Sequence, residues 1–562
     1  MTLVNTLPEA LAGAARSKRG YRFLNARSAE TFRPYADLYD TAWRVAGSIA
    51  ALGLGPGDLV AIIVSDPESF LTTLFGASIA GVIPASLYPP AMTGDLSSYL
   101  ESTMRVLQAC NAVAVVTSSA LLPHIDALRA SCPALSVVVP FDALQGPAMA
   151  RDRTPSPSDI AFVQFTSGST ATPKGVVITQ RNLWANVTAF SSPQGVRASA
   201  DDVVVSWLPL YHDMGLVGMA LGAMYLRADA VLMTPETFVK RPIEWLRALS
   251  RYKGTVSFAP NFAYDLAVRR VKDTDIAGLD LSSWRVAGCG AEPIHAPTLS
   301  AFADKFQPCG FRETSFQPSY GLAEVVLAAT MAPPGRRLHV ERLLADDLTV
   351  RRVATHANGT RAETVSVVAC GTPLPGHDVR ILDEDGSPLP ERHIGEIVLT
   401  GPSVTPGYYN DVDTTRKVIR NGQLFTGDLG YLSNGELFVC GRVKDLIIVN
   451  GRKYHPQDLE WGVADLAGIK RGRVVAFGTT SASGPDRTVV IAEPSGTVPA
   501  NELTDAIRRR IVDVCGLVVD DVVLVPSGTV ARTTSGKIKR SATKRLYERG
   551  DLASTATATS GA

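Results

Sequence analysis

The sequence predicts an α/β protein in which helices cover both faces of a parallel sheet, followed by a small β-rich unit and a smaller α+β unit. Short apolar runs alternate with segments of helical apolar spacing between residues 34 and 150. Strands that alternate with helices pair in parallel, because each helix carries the chain back to the same edge of the sheet. The chain has 562 residues, more than one hydrophobic core supports, so we expect several domains.

The first part of the chain supplies the scaffold of this sheet. Apolar residues recur at helical spacing in two stretches, the first of which ends at Gly53. Three short runs rich in Val, Ile and Ala are typical of buried strands. The predicted helices are 35–52 and 69–80, and the predicted strands are 59–64, 112–117 and 136–140.

A loop rich in hydroxyl groups follows the next predicted strand, 160–165, and ends at Lys174. Its small residues let backbone N–H groups turn towards an anion, and Lys174 adds a positive charge. Pro173 stands where a Walker A loop needs a glycine before its lysine, so that nucleotide-binding loop is excluded. A surface linker is the alternative. The apolar segments on both sides favour a loop that holds a polyphosphate.

Composition and charge exclude several classes of protein. Lys and Arg total 55 against 54 for Asp and Glu, so no net field attracts nucleic acid or acidic lipid. The seven cysteines are scattered without a C-x-x-C pair, which favours a reducing compartment, the cytoplasm, over disulfides or a zinc site. The N-terminus lacks a signal-peptide pattern, and the longest apolar stretches are interrupted, so no transmembrane segment is expected.

Two segments combine a predicted strand with residues suited to a pocket. Residues 202–216 run from a strand into a polar turn that contains His212 and Asp213. This pair could form a catalytic dyad, but adjacent residues rarely face each other in regular structure, so a role in the wall or gate of a pocket is favoured. Residues 254–266 lead from a strand into an aromatic helix start, which indicates either ordinary core or the wall of an apolar tunnel.

Two glycine-rich turns follow predicted strands, at 286–293 and 318–324. Glycines permit a flat ring to approach the backbone, and Tyr320 can stack on such a ring. Glu324 offers the hard oxygen ligand that Mg²⁺ prefers. Either turn alone is more often structural, and their occurrence together favours a nucleotide site.

The alternation of predicted strands and helices ends near residue 333. A polar, Arg-rich segment at 333–369 indicates either an insertion or a plain surface excursion, and a small β-rich subdomain follows it. We predict Asp428 in a tight turn, where its carboxylate suits the two hydroxyls of a ribose. Charged residues at 441–460 separate apolar strands and indicate a hinge, so we place a domain boundary near Lys444.

The remaining part of the chain predicts a smaller α+β domain. Lys537 follows Thr-Ser-Gly in a basic segment, which is either a solvated face or, as we favour, a second anion-binding loop. The Ala/Ser/Thr-rich tail after about residue 551 is expected to be disordered. The predicted strands are 473–477, 489–492 and 521–525, and the predicted amphipathic helix is 501–515.

Five short motifs follow one another along the chain. They are Thr166-Ser-Gly-Ser-Thr-Ala-Thr-Pro-Lys-Gly175, Tyr320-Gly-Leu-Ala-Glu324, Thr426-Gly-Asp428, Gly441-Arg-Val-Lys-Asp445 and Ser535-Gly-Lys537. In this order they resemble the motifs of the adenylate-forming superfamily of acyl and aryl ligases, peptide-synthetase adenylation domains and luciferases. Three further stretches, 206–216, 260–264 and 450–458, resemble the bacterial fatty acyl-AMP ligases within it.

The resemblance implies a division of the chain into two domains. Residues 1–443 would form a large N-terminal adenylation domain with two parallel-type sheets and a β-barrel-like subdomain. Residues 444–562 would form a small mobile α+β lid that turns about Lys444. The segment at about 333–369 lies where the family carries an insertion, which is expected to restrain rotation of the lid and to disfavour coenzyme A.

The resemblance also implies a role for each candidate residue. Lys537 is expected to be catalytic by stabilising charge on the α-phosphate and carboxylate, and Glu324 is expected to bind Mg²⁺. His212 is assigned both to the catalytic residues and to the acyl tunnel. The expected nucleotide-binding residues are Thr166, Ser167, Gly168, Ser169, Thr170, Lys174, Gly290, Ala291, Glu292, Tyr320, Gly321, Asp428 and Arg442. The expected tunnel residues are His212, Met214, Asn261, Phe262 and Tyr264.

The implied reaction uses ATP and Mg²⁺ to convert a fatty acid to an acyl-adenylate with release of pyrophosphate. The acyl group would then pass to the phosphopantetheine thiol of an acyl carrier protein or of a carrier domain in polyketide or lipopeptide synthesis. A fatty acyl-CoA synthetase shares the first step and is the alternative. A silent nucleotide-binding module is disfavoured because Lys174, Glu324, Asp428 and Lys537 occur together. Nothing in the sequence specifically supports the oxygen chemistry of a luciferase.

Overall fold

The computed structural model describes residues 5–25, 29–90, 96–150, 155–166, 174–358, 364–449, 452–481, 484–532 and 538–552. The strands, numbered in chain order, are β1 (Gly20–Leu24), β2 (Glu30–Pro34), β3 (Leu59–Ile63), β4 (Ile83–Ser86), β5 (Ala114–Thr117), β6 (Val137–Pro140), β7 (Ile160–Thr166), β8 (Lys174–Thr179), β9 (Val203–Ser206), β10 (Asp229–Met233), β11 (Val256–Ala259), β12 (Val286–Cys289), β13 (Phe316–Tyr320), β14 (Thr330–Met331), β15 (Val340–Leu344), β16 (Thr364–Val368), β17 (Thr372–Pro373), β18 (Asp378–Leu382), β19 (Gly395–Thr400), β20 (Ile419–Arg420), β21 (Gln423–Ser433), β22 (Glu436–Arg442), β23 (Ile447–Val449), β24 (Arg452–Tyr454), β25 (Ile469–Ser481), β26 (Gly484–Pro494) and β27 (Asp521–Leu524).

The helices lie between these strands along most of the chain. They are α1 (Leu7–Ala14), α2 (Tyr35–Ala51), α3 (Pro67–Ala80), α4 (Leu96–Ala109), α5 (Leu122–Asp126), α6 (Gln180–Ser191), α7 (Gly222–Leu226), α8 (Pro235–Lys240), α9 (Ile243–Arg251), α10 (Asn261–Arg270), α11 (Asp273–Ile276), α12 (Ala296–Phe306), α13 (Val412–Val418), α14 (Pro456–Gly462), α15 (Ala500–Cys515) and α16 (Arg540–Arg549).

One sheet is formed by β6-β5-β3-β4-β7-β8, and all of its strands run parallel except β8, which is antiparallel to β7. Alternate residues of β3 belong to two different hydrophobic clusters: Val60 and Ile62 to one, Leu59 and Ala61 to the other. Successive side chains of a strand point to opposite faces, so both faces of this sheet are covered. The predicted scaffold is therefore confirmed.

A second sheet has the order β17-β14-β13-β12-β11-β9-β10-β1-β2. The strands from β13 to β1 run parallel, and antiparallel strands complete both edges. Strands β9, β11, β12 and β13 each lead into one of the segments that the sequence assigned to the site. Ligands of open α/β sheets bind at the carboxyl ends of the strands, and this sheet brings those ends together.

The β-rich subdomain is an antiparallel sheet of β18, β19, β21, β20 and β22. Its closure into a barrel stays a prediction. The segment at 333–369 contains the hairpin β15–β16. Leu343 and Val367 of this hairpin are buried in one cluster with Tyr431 and Phe438 of the subdomain. The segment is therefore a packed unit and not a plain surface excursion.

Residues beyond Val443–Asp445, a short 3₁₀ turn, form hydrophobic clusters of their own. There β25 is antiparallel to β26, β27 is parallel to β26, and helices α14 and α15 pack against each other. The predicted α+β pattern is confirmed in this part of the chain. Most of the predicted disordered tail, residues 553–562, lies outside the described residues.

None of the seven cysteines, all of which lie within the described residues, forms a disulfide. Six are buried and Cys515 is partly buried, as expected for small apolar side chains. No helix within the described ranges has the length and apolar character needed to cross a bilayer.

Candidate active site

A cavity of about 1550 Å³ lies between the carboxyl ends of the parallel strands, the β-rich subdomain and the C-terminal part of the chain. Most of the candidate residues that the structure describes line it. They are Lys174, His212, Met214, Asn261, Phe262, Ala291, Glu292, Tyr320, Gly321, Glu324, Asp428, Arg442 and Lys444.

The predicted phosphate loop joins two adjacent strands. Thr166 at the end of β7 pairs with Lys174 at the start of β8, so the loop between them begins and ends at one point. Lys174 is partly buried and lines the cavity. Ser167, Gly168, Ser169 and Thr170 lie outside the described residues.

Asp428, which is itself buried, forms the centre of a polar cluster. The Tyr320 hydroxyl donates a hydrogen bond to its Oδ2 at 2.8 Å, and Arg442 Nε donates to its Oδ1 at 2.7 Å. Asp428 and Arg442 are cross-strand partners in β21 and β22, which explains their contact. The neighbouring Asp428 carboxylate raises the pKa of Arg442. The cluster can thus present a fixed carboxylate to neutral hydroxyl groups.

The prediction of a tight turn at Asp428 is wrong. The residue lies within β21, where the register with the partner strands shifts. Gly427 takes the left-handed φ of +71°, and its N–H donates to Glu396 Oε1 at 2.9 Å. Residues 426–428, whose sequence is typical of a turn, thus form a bulge, because β19 and β22 pair with β21 on its two sides.

Glu324 lies in a short turn after β13 and lines the cavity. Its Oε1 accepts a hydrogen bond from the Tyr408 hydroxyl at 2.7 Å. Burial raises its pKa above the usual value for glutamate. Among the described residues, no group of three or more His, Cys, Asp or Glu side chains surrounds it. A single carboxylate fits Mg²⁺ bound mainly by phosphates and water, and does not fit an all-protein metal cage.

His212 and Asp213 face each other, contrary to the expectation for adjacent residues. His212 Nδ1 lies 2.5 Å from Asp213 Oδ1, which also accepts the Met214 N–H. The chain turns here before a π-helical segment, Met214–Leu221, so the alternation of a regular strand does not apply. His212 is thereby oriented at the cavity wall beside Met214.

The predicted tunnel residues divide into two groups. Asn261 and Phe262 begin α10 and line the cavity, and Glu292 Oε1 accepts the Phe262 N–H at 2.7 Å. Tyr264 is fully buried instead, and its hydroxyl donates to Gly288 O at 2.8 Å. The assignment of Tyr264 to the tunnel is corrected: its ring belongs to an aromatic core with Trp245, Phe302 and Phe316.

Three consecutive residues after β12 were predicted to contact the nucleotide. Ala291 and Glu292 line the cavity, and Ala291 takes a φ of +68°, which is uncommon for alanine. Gly290 packs against the backbone of the neighbouring strand, where a Cβ would lie 2.8 Å from Ser319 O. Glycine is needed at this position for close packing of strands.

The C-terminal part of the chain covers one side of the cavity. Arg532 and Ile538, which flank segment 533–537, form a β-bridge and line the cavity. Lys537 itself lies outside the described residues. The rings of Trp461 and His295 are 4.9 Å apart, which joins α14 to the start of α12. The C-terminal part of the chain therefore lies against the start of α12 and covers the same cavity.

Sequence reasoning missed Tyr408, which contacts two candidate residues at once. The amine of Lys174 lies 5.3 Å from the centre of its ring, and its hydroxyl binds Glu324. The signal in the sequence is a pair of aromatic residues after Pro406-Gly407, a pattern that an ordinary turn also produces.

Comparison with known proteins identifies clear relatives. The AMP-binding enzyme family matches residues 14–409. A Caulobacter vibrioides protein with the provisional name acyl-CoA synthetase is 35% identical over 97% of this chain and 96% of the relative. The medium-chain-fatty-acid–[acyl-carrier-protein] ligase JamA of Moorena producens is 34% identical over 86% of this chain and 84% of the relative. A structure from a study of fatty acyl-adenylate ligases from E. coli and L. pneumophila matches with a TM-score of 0.91 and 35% identity, over 97% of this chain and 98% of that one.

Proposed function

The chain belongs to the AMP-binding enzyme family, and we propose that it is a fatty acyl-AMP ligase that activates a fatty acid with ATP and delivers it to a carrier protein. The observation that carries this proposal is one cavity that joins a polar cluster around Asp428 to an apolar wall. The fatty carboxylate attacks the α-phosphorus of ATP, pyrophosphate leaves, and an acyl-adenylate forms. The nucleophile is already an anion, so catalysis needs orientation and charge neutralisation more than a general base.

The nucleotide would bind across the polar side of the cavity. Asp428, held by Arg442 and Tyr320, is suited to accept hydrogen bonds from both ribose hydroxyls. Tyr320 and the turn at Ala291 would pack against the adenine ring. Lys174 and the loop before it would bind the β- and γ-phosphates.

The acyl chain would occupy the apolar part of the same cavity. Met214 and Phe262 stand at its wall, and the cavity continues past Gly218, Gly222 and Ala223. Two glycines and an alanine leave room that larger side chains would fill, as a lipid chain requires. His212, oriented by Asp213, stands at the wall of this part of the cavity and would contact the substrate where the carboxylate enters.

Glu324 would hold Mg²⁺ together with the phosphate oxygens of ATP. When bound, the ion supplies positive charge to the phosphates that separate during adenylation. Lys537, from the C-terminal domain, would add charge at the α-phosphate. Its neighbours Arg532 and Ile538 line the cavity, which supports this assignment.

The second step needs the C-terminal domain to move, because a thiol must enter where Lys537 acted. We propose that residues 444–562 are this lid and that Lys444, in the exposed turn after β22, is its hinge. The turn Asp347–Arg351 of the insertion contacts β24 of the lid, which supports a restraining role. Cysteines that form no disulfide are consistent with a proposed site of action in the cytoplasm.

A mass spectrometric product analysis tests this function. The protein is incubated with ATP, Mg²⁺ and fatty acids of graded length, and with either coenzyme A or a phosphopantetheinylated carrier protein. We expect acyl-adenylate and pyrophosphate with a fatty acid alone, and acyl transfer to the carrier in preference to coenzyme A. Ready formation of acyl-CoA would identify the alternative, a fatty acyl-CoA synthetase. Absence of pyrophosphate release with every acid would indicate a silent binding module.

A further inference from the structure

Tyr408 connects two parts of the active site that are far apart in the sequence. Its hydroxyl donates to Glu324 Oε1 at 2.7 Å. The amine of Lys174 lies 5.3 Å from the centre of its ring, within the range of a cation–π interaction. The residue is 8% exposed, so the surrounding packing fixes both contacts.

The backbone around Tyr408 is tied to both neighbours. Tyr408 bridges Val176 of β8, and the Tyr409 N–H donates to Gly175 O at 2.7 Å, directly after Lys174. On the other side, the Thr405 N–H donates to Glu324 O at 2.8 Å. These backbone hydrogen bonds tie the segment to the lysine strand on one side and to the Glu324 turn on the other.

Gly407 lets the chain reach this position. It has a φ of +149°, and a Cβ at this residue would lie 2.5 Å from the Thr415 side chain. The Tyr408 N–H donates to Thr415 Oγ1 at 2.9 Å. Close packing against α13 thus fixes the backbone from which the tyrosine ring projects.

We propose that Tyr408 is a positioning residue for adenylation, which orients Glu324 through its hydroxyl and Lys174 through its ring. This inference rests on the proposed function, which assigns Glu324 to Mg²⁺ and Lys174 to the triphosphate. A hydrogen bond to one carboxylate oxygen fixes the rotation of the carboxylate towards a metal. The ring face holds the lysine amine without neutralising its charge, so the charge remains available to a phosphate.

Two substitutions separate the two contacts. Tyr408→Phe removes the hydroxyl and keeps the ring, so the contact with Lys174 is retained. Tyr408→Leu removes both. Tyr409→Phe is the matched control, because it removes a hydroxyl from the next residue, which packs against the hydrophobic cluster of the first sheet.

ATP binding measured by calorimetry without fatty acid gives a readout that does not depend on turnover. Titrations are run in Mg²⁺ and in EDTA, and near-ultraviolet circular dichroism verifies that each variant is folded. Mg²⁺ should strengthen ATP binding by the wild-type protein, and this strengthening should be about tenfold smaller in Tyr408→Phe, as for other groups that orient a metal ligand. Its affinity for ATP in EDTA should stay within about twofold of wild type. Tyr408→Leu should also weaken binding in EDTA, by about threefold.

A double-mutant cycle with Glu324→Gln tests whether the hydroxyl acts through the carboxylate. In the Glu324→Gln background, Tyr408→Phe should produce no further change in the Mg²⁺ effect. In pyrophosphate-release assays, the Mg²⁺ concentration for half-maximal rate should rise about tenfold in Tyr408→Phe, while the KM for fatty acid stays unchanged.

The outcomes distinguish this inference from the proposed function. Wild-type Mg²⁺ dependence in a folded Tyr408→Phe variant, an equal loss in Tyr409→Phe, or no Mg²⁺ effect on ATP binding by the wild-type protein would each overturn the positioning role. If the wild-type protein binds ATP with the expected Mg²⁺ effect but releases no pyrophosphate with any fatty acid, the proposed function fails, and the binding data still decide the role of Tyr408. If Tyr408→Leu does not fold, Tyr408→Phe alone decides it.

Discussion

Removing the charge of Glu341 should loosen the packing of the hairpin β15–β16 against the β-rich subdomain. The side chain of Glu341 is 4% exposed and accepts hydrogen bonds from the Arg392 guanidinium at 3.0 and 3.1 Å and from the Tyr431 hydroxyl at 2.8 Å. Glu341→Gln leaves Arg392, 27% exposed, without its counter-charge. Breaking a buried ion pair costs about 3 to 5 kcal/mol. We expect about 2 to 3 kcal/mol here, since Arg392 reaches water and glutamine keeps one acceptor.

Hydrogen exchange of the backbone amides in β15 and β16 measures this loss locally. A change of about 2 to 3 kcal/mol in the free energy of local opening corresponds to about 30- to 150-fold faster exchange. Burial alone would raise the pKa of Glu341, but Arg392 and Tyr431 lower it below its usual value of 4.5. The stabilisation is therefore present above pH 4.5 and is lost as the pH falls through the lower, folded-state pKa. The difference between wild type and variant should shrink in acid accordingly.

Arg342→Gln is the matched control for this experiment. Arg342 lies on the exposed face of the same strand and donates to Thr364 Oγ1 at 3.2 Å. Its loss should change exchange by less than about threefold, because exposed polar contacts contribute little. Unchanged exchange in Glu341→Gln, or an equal increase in the control, would refute the reasoning. As a consequence of the proposed restraint on the lid, Glu341→Gln should also form more acyl-CoA than wild type.

Further predictions concern the reaction and the lid. Lys537→Ala should slow pyrophosphate release by about a hundred- to a thousandfold, because the proposed function places the Lys537 charge at the transition state, and calorimetry should show nearly unchanged ATP binding. Asp428→Asn should weaken ATP binding about tenfold in the same titration, because a charged acceptor for the ribose beside Arg442 is lost. Burial, aided by Arg352, lowers the pKa of His455 from 6.5 to about 4, so the unfolded chain binds a proton that the folded chain excludes. The free energy of unfolding in urea should therefore fall by about 3 kcal/mol between pH 6.5 and pH 4, and His455→Gln should remove that part of the decline.

Local patterns in the sequence were sufficient for many of the elements, and together with the family resemblance they pointed to candidate residues most of which line the cavity. A continuous apolar run predicted β3, because a strand buried on both faces has apolar residues at every position. Apolar residues at helical spacing up to Gly53 predicted α2, because a glycine with a left-handed φ commonly follows the end of a helix. The turns that carry Tyr320 and Glu324 were predicted in the same way. Where local signals conflicted with tertiary pairing, pairing prevailed: the Thr426-Gly-Asp428 turn became a bulge within β21.

Sequence patterns alone were enough to assign the α/β class, the family resemblance and the order of the motifs. The packing of Tyr264 in an aromatic core, the ion pair of Glu341 with Arg392, and the contacts of Tyr408 with Lys174 and Glu324 became visible in the folded chain. The reason is the separation along the chain of the residues that interact. Helix and strand periodicity arises between near neighbours in the chain, whereas these contacts join residues 24 to 234 positions apart through the register of strands and the packing of loops.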